Sequence, residues 1–132
     1  MPTRDLIDNI TDILTWPDLA DDQGEVDGAI WEQAEVERTE LAGNLRLARD
    51  EGGEDPLLTS LERTRNRMLA AERDLRLLIA YAREFAEPRP YRLEDLARAA
   101  GMSISGVRTA YGHDEITQVA DITGLQPRQA TP

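Results

Sequence analysis

Residues 56–87 read PLLTSLERTRNRMLAAERDLRLLIAYAREFAE, and this stretch decides the fold class. Its apolar side chains recur in a heptad frame: Leu61, Met68, Leu75 and Ala82 hold one seam position, and Leu57, Thr64, Ala71, Leu78 and Phe85 the other. That period belongs to a helix, because residues three and four apart share a helical face. Asp55-Pro56 supplies an N-cap followed by proline at the first helical position, where the missing N–H has no partner to lose. At about 1.5 Å per residue such a helix spans roughly 45 Å. A rod of that length is unstable alone and must bury its seam. Leu61, Met68, Leu75, Leu78 and Phe85 are therefore expected to line either an intramolecular hairpin or a dimer interface.

The residues before it offer a neighbour. From about Gly28 to Arg49 a second helix is expected, with Ile30, Ala34, Leu41, Leu45 and Ala48 as its apolar stripe and Glu32, Glu35, Glu37 and Glu40 as an acidic row. The break DEGGED (50–55) is short, which makes the two helices antiparallel neighbours by default. The acidic row would then meet Arg63, Arg65, Arg67, Arg73 and Arg76, although those arginines also suit another chain or a phosphate backbone. Exposed pairs of this kind contribute only about 0.3–0.5 kcal/mol each, so they set register while the seam supplies stability. Residues 3–15 form a first helix, with Leu6, Ile7, Ile10, Ile13 and Leu14 on one face and Asp5, Asp8, Asn9 and Asp12 opposite. Thr3 can cap it, and Trp16-Pro17 ends it. Residues 17–28 read as an acidic loop flanked by Trp16 and Trp31, which suit core or interface plugs.

Composition limits the chemistry. The chain has 132 residues, 40% of them hydrophobic, enough for a modest core. Without cysteine it has no disulfide, thiolate metal site or thiol nucleophile, and the single histidine, His113, excludes a multi-His metal centre. Carboxylate pairs such as Asp21/Asp22 and Glu94/Asp95 lack a His or Cys partner, so no enzyme, catalytic residue, metal or cofactor is expected. No apolar run of transmembrane length and no signal-peptide pattern occurs, which predicts a soluble, cytoplasmic protein with no membrane partner. Net charge is −11, and all 15 basic residues are arginine. Residues 1–56 carry 4 Arg against 16 acids, net −12; residues 57–132 carry 11 against 10, net +1. A polyanion therefore belongs with the second half, and the acidic first half is left for a protein partner.

Glu87-Pro88-Arg89-Pro90 stops the long helix and forms a stiff joint. Beyond it, residues 93–112 read LEDLARAAGMSISGVRTAYG. Ala97 is small where two helices would cross, Gly101 suits a left-handed turn, and Leu93, Leu96, Ala100, Met102, Val107 and Ala110 can plug the angle between them. Ser103 is placed to cap the second of the two. This pattern resembles the helix-turn-helix of bacterial DNA-binding transcriptional regulators. The resemblance covers 20 of the 132 residues. It implies a recognition helix from Ser103 to about Tyr111 that enters the major groove of double-stranded DNA. Arg108 would pair with a guanine edge, Thr109 and Ile104 would pack on a thymine methyl, and Ser103 and Ser105 would meet phosphate oxygens. Gly106 would admit close backbone approach, and Arg92, standing where the family usually caps with Ser or Thr, would be freed for a phosphate.

Residues 113–124 are expected to form a packing helix, capped by Asp114, with Ile116, Val119, Ala120 and Ile122 inward and a stop at Gly124. His113 reads as a surface turn residue at its start. The expected architecture is all-α: an acidic helical region (1–55), a long helix of a helical hairpin (56–87), a helix-turn-helix domain (88–125) and a disordered tail (126–132). The function expected is sequence-specific DNA binding in transcription regulation, as a homodimer held by the long helices. The alternative is an acidic protein–protein adaptor in which the corner is only structural.

Overall fold

A computed structural model describes residues 5–17 and 28–128. Six helices account for 78% of the described residues, and no strand occurs among them. They are α1 (Leu6–Thr15), α2 (Gly28–Gly52), α3 (Pro56–Glu84), α4 (Leu93–Ala100), α5 (Ile104–Thr109) and α6 (His113–Thr123). The chain divides into two units, Met1–Arg65 and Asn66–Pro132. The Thr3 cap, most of the acidic loop (18–27) and the last four tail residues (129–132) lie outside the described residues.

In the first unit, α1 packs on α2. Asp5, not Thr3, is the N-cap of the described helix, its carboxylate accepting from the Ile7 amide at 2.7 Å. Ile7 and Ile10 meet Ala42 and Leu45 in a small core, with Leu14 and Leu41 at its edge. The buried arc of α1 is completed by Thr11 and Thr15 rather than by Leu6 and Ile13, which are exposed. Both threonines satisfy their hydroxyls on their own helix, Thr15 donating to the Thr11 carbonyl at 2.6 Å. Charge selects this arc. Arg46 pairs with Asp8 at 3.0 Å and Arg38 with Asp12 at 3.0 Å, while Arg49 approaches Asp5 at 3.8 Å, so α1 and α2 run antiparallel. On α2 the buried positions are Ala34, Ala42 and Leu45, whereas Ile30 is exposed. Trp16 and Trp31 make an edge-to-face pair at 5.5 Å but keep 57% and 39% of their surface exposed, so they plug no core among the described residues.

Helix α2 closes with Gly53 at φ 67°, and Asp55 caps α3 by accepting from the Leu57 and Leu58 amides at 2.9 Å. Along α3 the heptad stripe is open to solvent from Leu57 to Leu78, with Leu61 58% and Leu78 65% exposed, and it is buried only at Ala82 and Phe85. Those two belong to the second unit. There, Ile79 packs with Ala97 and Val107, and Ala80 and Phe85 pack with Val119; Tyr111 touches both clusters. Helix α3 ends at Glu84, three residues short of the expected stop. The turn after it folds back, with the Tyr91 amide bonded to the Ala82 carbonyl at 3.0 Å and the Arg83 guanidinium to the Tyr91 carbonyl at 2.8 Å. The small C-terminal helices thus use the last turns of α3 as a wall, and the compact unit begins inside α3 instead of at Pro88. Helix α6 presents Ile116, Val119 and Ala120 inward, but Ile122 is 72% exposed. Gly112, not Asp114, is its N-cap residue, and the Glu115 carboxylate reaches back to accept from the Gly112 amide at 2.9 Å. The Arg128 amide bonds to the Glu84 carbonyl, which ties the start of the expected tail to α3. Among the described residues no helix is long and apolar enough to cross a membrane.

Candidate nucleic-acid interface

The corner is built by α4, a tight turn and α5. Gly101 takes φ 65°, ψ 34°, a conformation that costs a residue with a side chain about 1–2 kcal/mol, and it returns the Met102 amide to the Ala97 carbonyl at 2.9 Å. Ala97 is buried at the crossing and Val107 is fully enclosed. Leu93, Leu96, Ala100, Met102 and Ala110 close around them, so every apolar residue that the pattern assigned to the angle lies in one cluster. Ser103 caps α5, its hydroxyl oxygen accepting from the Gly106 amide at 2.9 Å.

The outer face of α5 is open. Ser105, Arg108 and Thr109 are exposed, and Ile104 is 39% exposed. Among the described residues the Arg108 side chain makes no ion pair or hydrogen bond. The Thr109 hydroxyl donates to the Ser105 carbonyl at 3.1 Å, which leaves its oxygen as an acceptor. Gly106 departs from the outward role expected of it. It is half-buried, and a Cβ there would lie 3.1 Å from the Ser103 hydroxyl and 3.4 Å from the Met102 Cε, so its bareness makes room for the cap and the turn. Arg92 is the N-cap residue of α4 and makes no capping bond, but it is not free: its guanidinium pairs with Glu94 at 3.0 Å. Helix α5 is also shorter than expected, ending at Thr109.

Two links hold the corner against the rest of its unit. The Tyr111 hydroxyl donates to the Glu84 carboxylate at 2.8 Å, and burial, followed by that acidic partner, pushes it up to about 12. Glu115 is held below the usual carboxylate range, chiefly by the Gly112 amide, next by its own backbone amide and least by Arg76, which lies 4.0 Å away on α3. Arg98, exposed in the last turn of α4, is a cation of the corner that the sequence pattern gave no role. Its signal was its place on the polar side of a helix whose other side is Leu93, Leu96 and Ala97. His113 is exposed at the start of α6. No group of three or more His, Asp or Glu among the described residues is arranged to hold a metal ion. No family model, curated protein or solved structure matches this chain.

Proposed function

We propose that the chain is a cytoplasmic, non-enzymatic DNA-binding protein, acting in transcription regulation, that lays α5 in the major groove and dimerises through the long helix α3. What carries the reading is the two-sidedness of α5. Its inner residue Val107 is sealed into the corner, while Ser105, Arg108 and Thr109 are exposed and Ile104 keeps 39% of its surface open. A guanidinium on a helix, with no side-chain partner among the described residues, suits the O6/N7 edge of guanine. Ile104 supplies an apolar surface for a thymine methyl. Ser103 and Ser105 supply hydroxyls for phosphate oxygens. Arg98 adds a second cation to the corner.

The test is a salt titration of binding to random-sequence duplex. The chain should bind at low salt and lose affinity as salt rises, with a log–log slope close to the number of phosphates neutralised. Absence of binding at every salt concentration refutes the reading and favours the protein–protein adaptor.

A further inference from the structure

The open stripe of α3 runs beside an apolar groove of about 470 Å³, lined by Leu77, Leu78, Tyr81, Val119 and Ile122, with Asp74 at its rim. The charges that flank the stripe are sorted along the helix. Arg65 and Arg67 hold the two flanking heptad positions in its first part, and Glu72 and Asp74 hold the same two positions one heptad later. From this sorting we infer that a second copy of the chain docks antiparallel along α3. Several antiparallel registers keep seam positions in layers. A shift of one heptad sets Arg65 beside the partner's Arg65 or Glu72 beside the partner's Glu72. The register between those two brings Leu61 to the partner's Leu78, Thr64 to the partner's Leu75 and Met68 to the partner's Ala71.

That register places Arg65 beside the partner's Glu72 and Arg67 beside the partner's Asp74. Each is repeated by symmetry, which makes four opposite-charge pairs across the seam. A parallel pairing matches Arg67 with the partner's Glu72 but sets Arg65 against the partner's Ser60 and Asp74 against the partner's Ile79, leaving a cation and an anion of each chain unmatched. Charge therefore selects orientation as well as partner. The pairs these acids make within the chain, Arg76–Glu72 and Arg73–Asp74, are both at 3.5 Å between exposed side chains and exchange readily. The groove has a matching occupant in this register: Leu57 and Leu61 of the incoming copy, both exposed on their own chain, reach Leu78, Tyr81 and Ile122. Asp74 on the rim then faces the partner's Arg67.

The inference deepens the reading above, on which it rests for its consequence at DNA, and its test uses no DNA. The chain has no cysteine, so an introduced one is its only thiol. Leu61→Cys and Leu78→Cys alter exposed positions, and their helicity is checked by circular dichroism. Mixed under oxidising conditions, the two variants should form a disulfide-linked pair, and neither should link to itself. The unmodified chain should sediment as a dimer at micromolar to submillimolar concentration. Any other pattern overturns the inference: Leu61→Cys linking to itself, a dimer in which the mixture does not link, or a single-chain mass throughout. A chain that links as expected but ignores duplex DNA keeps this inference and removes the DNA reading. A monomer that binds duplex does the reverse.

Discussion

In the proposed reading Arg108 is the base-reading residue because it is exposed on a helix and has no side-chain partner among the described residues. Arg108→Ala should weaken specific binding by about 1–3 kcal/mol and relax preference at one base position, as read by competition among duplexes that differ at single pairs. The residues that hold it in place act through the backbone. A Cβ on Gly101 would meet no atom within 4 Å, so Gly101→Ala tests conformation alone; it should lower stability by about 1–2 kcal/mol in urea titration. Ser103→Ala removes the bond to the Gly106 amide and should cost about 1 kcal/mol. Tyr111 gives a signature in pH. Its hydroxyl titrates near 12 in the folded chain against 10.0 unperturbed, so its contribution is complete below pH 10 and is lost as pH rises from 10 toward 12. Alkaline absorbance titration should show one tyrosine ionising late, and Tyr111→Phe should abolish that late step.

At the scale of elements, the packing of α1 on α2 yields a contrast between two isoleucines and a leucine. Leu45→Ala opens the centre of a four-residue core and should destabilise the first unit by about 2–5 kcal/mol, as should Ile7→Ala within the same range; Ile13→Ala, at 76% exposure, should stay within about 0.5 kcal/mol. Thermal melts of the three variants check this. The same helix shows where sequence reading runs out. Leu6, Ile7, Ile10, Ile13 and Leu14 form an arc too wide for one partner. Which part is buried was settled by Arg38, Arg46 and Arg49 of α2, whose pairing with α1 is a long-range fact that no local period carries. The acidic row of α2 drew attention toward α3 for the same reason, since chain proximity is visible in sequence and a charge match with an earlier helix is not. The corner was far more legible. Gly101, Ser103, Ala97 and Val107 are each dictated by local backbone geometry or by a single close crossing, so their types disclose their places. For Gly106 the structure adds a constraint from Met102 and Ser103 that no local pattern carries. The wall supplied by Ile79, Ala80 and Phe85 was hidden inside the heptad pattern, where apolar residues serve a dimer seam and a domain core alike.

For the molecule as a whole, the proposed DNA binding has to contend with an acidic chain. Net charge is −11, with the excess concentrated in residues 1–56, so in the proposed reading affinity depends on individual cations such as Arg98 and Arg108 and on doubling of the site in the proposed dimer. The antiparallel pairing proposed on α3 would set that doubled geometry. Ile79, against which each corner packs, lies roughly 30 Å along the helix axis from its counterpart at about 1.5 Å per residue, comparable with the 34–36 Å of one duplex turn. The measurement that tests the central claim most directly is selection of duplexes from a random pool on the purified full chain. The account predicts a two-fold symmetric site whose half-sites lie about one helical turn apart, roughly 10 base pairs, with one base of each half-site lost when Arg108→Ala is used instead. Recovery of an unenriched pool at the lowest salt that keeps the chain folded would contradict it.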